Sequence, residues 1–135
     1  MDSSLINALQ NIVGTANVMT SPEDLFCYSY DATPGFSHMP EAVVVPANTA
    51  EVSKVMALAN EHRIPVYPRG AGTNLSAGTV PTKGGIVLLM TKMNQILEID
   101  PTNLTATAEP GVVVVELNKA VEAYGLLYPP DPGTL

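Results

Sequence analysis

The sequence predicts an α+β (α/β-like) protein, and three observations carry that expectation. A β-branched run at residues 41–46, a helical stripe at 48–62 and an apolar run at 64–67 follow one another within about 27 residues, as in a βαβ unit. Three more short apolar runs, at 86–90, 96–100 and 104–108, continue the strand pattern, and a helix follows them. Finally, 46% of residues are apolar and 14% charged, which supplies a core and excludes disorder. At roughly 150 residues per domain, 135 residues amount to about one domain.

Taken in order, residues 3–13 read as a first helix. Leu5, Leu9, Ile12 and Val13 recur at helical spacing, and Gly14 is a natural stop. Ser21, Pro22, Glu23 and Asp24 make a good helix start, where acidic side chains favour the N-terminus. Pro34, Gly35 and Pro40 then break regular structure, so this stretch reads as a short helical turn and an irregular approach. The run 41–46, closed by Pro46, suits a strand buried on both faces. Asn48 followed by Glu51 forms a capping pair for the helix carrying Val52, Val55, Met56 and Ala59. Residues 64–67 and 86–90 are the next two strands. Pro101, Thr102 and Asn103 make the turn of an antiparallel hairpin between 96–100 and 104–108. After Pro110 and Gly111, Val114, Leu117, Ala120, Val121 and Tyr124 line one face of a last helix, with Gly125 beyond its end. The chain stops on a proline-rich stretch where another element is expected, which reads as a fragment of a larger domain.

Charge narrows the function. Six Lys+Arg against thirteen Asp+Glu give −7, a poor match to nucleic acid, and two Phe without Trp offer few stacking platforms. No run is long enough to span a bilayer and no secretion signal opens the chain. A single cysteine excludes an internal disulfide and a cysteine-rich zinc site, and a cytoplasmic setting is expected.

Five of the ten glycines, Gly70, Gly72, Gly78, Gly84 and Gly85, fall within residues 70–85. Residues 68–78, Pro-Arg-Gly-Ala-Gly-Thr-Asn-Leu-Ser-Ala-Gly, follow directly on a strand. Small residues let backbone N–H groups approach a ligand, and such a nest holds phosphate without lysines. The dinucleotide pattern G-x-G-x-x-G fails because Leu75 stands at its third glycine, and a Walker A loop fails because Gly84 follows Lys83. From composition alone, a flexible glycine-rich surface loop remains the alternative.

The segment 68–78 resembles the pyrophosphate loop of the vanillyl-alcohol oxidase/p-cresol methylhydroxylase (PCMH) type FAD-binding domain. Residues 42–46, Ala50-Glu51-Val52, Glu109-Pro110-Gly111-Val112 and Tyr128-Pro129-Pro130-Asp131-Pro132-Gly133 match that family in order. Within it the chain is similar to the FAD-linked subunit of glycolate oxidase and its D-lactate and D-2-hydroxyglutarate dehydrogenase relatives. The residues read as a helical and irregular segment at 1–39; the resemblance runs from about residue 40 to the end and implies at 40–135 the first, truncated subdomain of an FAD-binding domain. It also implies FAD held by the loop set Pro68, Arg69, Gly70, Ala71, Gly72, Thr73, Asn74, Ser76 and Gly78. Pro110, Gly111, Pro132 and Gly133 would complete the cofactor site. Thr73 stands where covalently flavinylated members carry histidine, so the FAD is expected to be non-covalent. The family oxidises a small 2-hydroxy acid to the 2-oxo acid by hydride transfer to flavin, then passes the electrons to an acceptor this sequence does not identify. No catalytic residue of that reaction is visible here, and the chain alone is expected to be inactive. Alternatives are a non-catalytic nucleotide-binding remnant and another enzyme on the same flavin fold, such as an alkyl-glycerone-phosphate synthase.

Other candidates are weaker. His38 and His62, 24 residues apart without a third ligand, read as surface histidines, and no metal site is expected. Cys27, among Phe26, Tyr28 and Tyr30, reads as a buried inert thiol, and Asp131 as a turn former. For Arg69, cofactor contact and a structural ion pair both stand open.

Overall fold

Helix α1 (Ser3–Val13) begins on Asp2, whose carboxylate accepts the Ser4 amide at 2.9 Å, and stops at Gly14. The computed structural model describes residues 1–130 and divides into two units, Met1–Lys92 and Met93–Leu135. In the first, a 3-10 turn (Thr15–Asn17) and the two-residue strand β1 (Val18–Met19) follow α1. Neither was visible in the sequence, because two or three residues are too few to show a period. Helix α2 (Pro22–Cys27) starts on Ser21, which accepts the Asp24 amide. Strand β2 (Ala42–Val44) and helix α3 (Thr49–Glu61) follow. Asn48 accepts the Glu51 amide at 3.0 Å while Glu51 accepts that of Ala47 at 2.8 Å, the reciprocal pairing the sequence signalled. Strands β3 (Val66–Arg69) and β4 (Ile86–Leu89) complete the unit.

The four strands form one sheet in the order β1-β2-β4-β3, with β4 parallel to both neighbours and β1 antiparallel to β2. The last strand in sequence is thus inserted between the two strands of the βαβ unit. Alternation then sorts the side chains onto two faces. Val44, Ile86 and Leu88 pack with Leu9 and Val13 of α1 and Val55 and Ala59 of α3. Val43, Val45, Val87 and Leu89 pack on the opposite face with Leu25 of α2 and the half-buried Tyr28. β2 and β4 are buried throughout, as strands covered on both faces must be. Each such aliphatic side chain contributes about 1.5–3 kcal/mol. β3 lies at the sheet edge, where the missing N–H of Pro68 disrupts no ladder on its outer side. Gly85 leads into β4 with φ +82°, and a Cβ there would overlap the Pro65 carbonyl oxygen. The close pass lets the Ile86 amide reach that oxygen at 2.9 Å.

In the second unit, β5 (Ile96–Asp100) and β6 (Thr105–Ala108) form the expected antiparallel hairpin, with a register shift between Ile96 and Glu98. Asp100 holds its turn, accepting the amides of Thr102 and Asn103 at 2.9 and 3.1 Å. Helix α4 (Val114–Glu122) ends before Tyr124, which is exposed, and Gly125 turns the chain at φ +71°.

Candidate functional site

Strand β3 delivers Arg69 to the start of the glycine-rich loop, and the loop ends where Val80 and Pro81 return to the core. Gly72 has φ +76°, and a Cβ on it would overlap the Arg69 guanidinium. At Gly70 and Gly78 a Cβ would meet open space. Among the described residues, the backbone N–H groups of Gly70, Ala71, Gly72 and Asn74 meet no protein acceptor. Amides that meet no acceptor among the described residues, on a loop with open space at Gly70, fit an anionic group such as a pyrophosphate.

What holds the loop lies beneath it. Arg69 is only 8% exposed; its Nη1 donates to the Tyr30 carbonyl at 2.6 Å and its guanidinium carbon lies 5.5 Å from the Tyr28 ring centroid. Because Tyr28 packs on the Val43/Val87 face of the sheet, Arg69 links the loop to the core. The Ala32 amide donates to the Gly72 carbonyl at 3.1 Å. Asp31, also 8% exposed, accepts from Asn74 Nδ2 at 2.7 Å, Thr79 Oγ1 at 3.0 Å and the Thr33 amide at 2.8 Å. Thr79 Oγ1 is also 3.2 Å from Asn74 Oδ1, so its one hydrogen is shared between two acceptors. Thr33 Oγ1 accepts the Ala77 amide at 2.7 Å, fixing a residue with φ +52°. Burial pushes the Asp31 carboxyl up, but the bonds from Thr33, Asn74 and Thr79 outweigh it and bring it down to about 2.

The structure brings Pro68, Arg69, Gly70, Ala71, Gly72, Thr73, Asn74, Ser76 and Gly78 together as one loop. Within it Ala71, Thr73, Ser76 and Gly78 are exposed, and the Asn74 side chain is engaged by Asp31, leaving its amide for a ligand. Arg69 is held by a carbonyl and a ring, and among the described residues it makes no ion pair. Pro110 and Gly111 belong to the second unit, where the Gly111 amide donates to the Met93 carbonyl at 2.8 Å. Pro132, Gly133 and the turn former Asp131 lie outside the described residues. His38 and His62 are exposed. Cys27 is corrected: it is exposed, its Sγ 3.6 Å from the Glu23 carbonyl. Only Leu25 of the six-residue α2 turns inward, and a residue two positions on points about 200° away.

Sequence reasoning missed Asp31, Thr33 and Thr79. Their contacts span 43, 44 and 48 residues, and no local period encodes such pairings. The one available signal was a lone acidic residue in an otherwise uncharged, turn-rich stretch at 25–40. Among the described residues no group of His, Cys, Asp and Glu could hold a metal ion, and no helix is long and apolar enough to cross a membrane.

A family model described as an FAD binding domain matches residues 40–135. The glycolate oxidase subunit GlcD of Bacillus subtilis is 52% identical over 127 residues, covering 94% of this chain and 27% of that protein. The D-2-hydroxyglutarate dehydrogenase of Stutzerimonas stutzeri is 37% identical over 130 residues, covering 96% and 28%. Among solved structures, p-cresol methylhydroxylase with substrate bound superposes with a TM-score of 0.80 at 28% identity, covering 91% of this chain and 25% of that one. The chain spans about a quarter of the length of these relatives.

Proposed function

The chain belongs to the FAD binding domain family, and on that footing we propose that its glycine loop holds the FAD pyrophosphate in a flavoprotein that oxidises a 2-hydroxy acid. Glycolate and D-lactate are the substrates of first choice, and the 2-oxo acid is the product. The observation that carries the reading is the set of amides at Gly70, Ala71, Gly72 and Asn74 that meet no acceptor among the described residues. Oriented amides bind phosphate oxygens without lysine, which suits a chain of net charge −7. Gly70 and Gly78 leave the ligand room, and Pro68 and Ser76 are exposed in the same loop. Arg69 adds a positive charge beside Gly72 while its Nη1 donates to the Tyr30 carbonyl.

Thr73 offers no ring nitrogen for a bond to flavin, so the cofactor is proposed to be non-covalent. Pro110, Gly111, Pro132 and Gly133 are proposed to line a further part of the cofactor site, within a domain that starts near residue 40 and takes support from residues 1–39. When bound, FAD supplies the hydride acceptor. The substrate contacts, the turnover and the exit of electrons to an acceptor or partner subunit are proposed for an intact flavoprotein of the relatives' length. A cytoplasmic setting belongs to the same reading, supported by the single, exposed Cys27.

Assay of the intact flavoprotein with glycolate, D-lactate and an artificial electron acceptor tests this. Hydroxy-acid-dependent reduction of the acceptor is expected, together with loss of activity when FAD is stripped. FAD uptake without turnover on any 2-hydroxy acid would favour a nucleotide-binding module instead.

A further inference from the structure

We infer that residues 30–33, which lie outside the stretch matched by the family model, set the shape of the pyrophosphate loop, with Asp31 as a positioning residue that acts through Asn74. This rests on the reading of that loop as the FAD site.

Four consecutive residues engage the loop at successive points along its length. The Tyr30 carbonyl takes Arg69 at its start, the Ala32 amide takes the Gly72 carbonyl in its middle, and Thr33 takes Ala77 near its end. Asp31 is the centre of the set. Its carboxylate takes Asn74 and, through Thr79, the segment by which the chain leaves the loop. Within the loop and its exit, the Val80 amide donates to the Ala77 carbonyl and Thr79 Oγ1 to Asn74 Oδ1, while the contacts from residues 30–33 come from outside it. A glycine-rich segment has a large conformational entropy unless contacts hold it. A loop already in its binding shape gives up less freedom when the ligand arrives, so the clamp raises affinity without touching the cofactor.

Charge makes Asp31 the strongest member. A buried carboxylate with three donors makes charge-assisted bonds, about twice as strong as neutral ones, and removing it takes the partner from Asn74 Nδ2 and the Thr33 amide, while Thr79 keeps only Asn74 Oδ1. The neighbouring carbonyl and amide contacts, at Tyr30 and Ala32, are backbone and survive substitution at Asp31.

The test uses the full chain, with Asp31→Ala, Asp31→Asn, Asn74→Ala and the Asp31→Ala/Asn74→Ala pair. NMR relaxation reads backbone order at Gly70, Ala71, Gly72 and Asn74, hydrogen exchange reads β4, and flavin fluorescence reads FAD affinity. In the wild type, order parameters near about 0.85 are expected, falling below about 0.6 in Asp31→Ala while β4 amides stay protected. FAD affinity should fall about tenfold to a hundredfold, as for a lost charge-assisted hydrogen bond. Asp31→Asn, which keeps the shape, should fall between, and the double variant should lose less than the sum of the two single losses, because both singles remove the Asp31–Asn74 contact. Unchanged loop order in Asp31→Ala overturns the inference. So does a loss of β4 protection in step with the loop, which would make Asp31 a general stability residue, and so does strict additivity of the pair. If the wild type takes up no FAD, the reading of the site fails, and the order parameters still decide the role of Asp31.

Discussion

Gly72 rests against the guanidinium of Arg69 so closely that a methyl group at position 72 would occupy the same space. Arg69 in turn reaches the Tyr30 carbonyl and lies over Tyr28, so a change at Gly72 is transmitted to the base of the loop. Gly72→Val therefore meets two obstacles, a left-handed φ of +76° and the buried Arg69. We predict a loss of FAD affinity of at least about tenfold, read by flavin fluorescence titration. Unchanged affinity would mean that the pyrophosphate binds elsewhere.

Arg69→Lys should not restore what Arg69→Ala removes. Lysine offers a compact ammonium in place of a planar fork, and it cannot both stack on Tyr28 and donate to Tyr30 in the same geometry. Urea unfolding should place both variants about 1–3 kcal/mol below the wild type. Recovery of full stability by lysine would show that only the charge matters.

The Asp31 network has a signature in pH. Its carboxyl falls from 3.8 to about 2 in the folded protein, so the folded state binds that proton more weakly than the unfolded chain does. The associated stability is present in full above about pH 4 and is lost as pH falls towards about 2. The stability difference between wild type and Asp31→Asn should be flat from pH 7 to about pH 5 and shrink below about pH 4. A difference that grows on acidification would contradict the network.

Burial predicts a contrast between the sheet core and an exposed hairpin position. Leu88→Ala removes a side chain 3% exposed within the α1/α3 face and should cost about 2–5 kcal/mol in urea unfolding. Leu97→Ala, at a position 63% exposed, should stay within about 0.5 kcal/mol. Equal costs would mean that Leu88 is not in the core or that Leu97 is not exposed.

Elements written in local pattern were legible in the sequence. The α1 bounds follow from Leu9 and Val13 and the stop at Gly14, and the start of α3 follows from Asn48 and Glu51. β2 and β4 were legible because strands buried on both faces are aliphatic throughout. The insertion of β4 between β2 and β3 was not, since strand order depends on pairings that no local period records. At the site, clustered glycines marked the loop but said nothing of what lies under it. The direction of the Arg69 guanidinium is set by Tyr28 and Tyr30, some 40 residues earlier in the chain. Cys27 was misread because its aromatic sequence neighbours at 26 and 28 do not share its face of the helix.

The central claim is that the loop of Gly70, Ala71, Gly72 and Asn74 binds the pyrophosphate of a non-covalent FAD. Equilibrium titration of the chain with FAD, followed by denaturation and recovery of the flavin in the soluble fraction, tests it most directly. The account predicts saturable uptake that competes with ADP, with all flavin released on unfolding. No uptake by a folded chain, or flavin that stays with the denatured polypeptide, would contradict it.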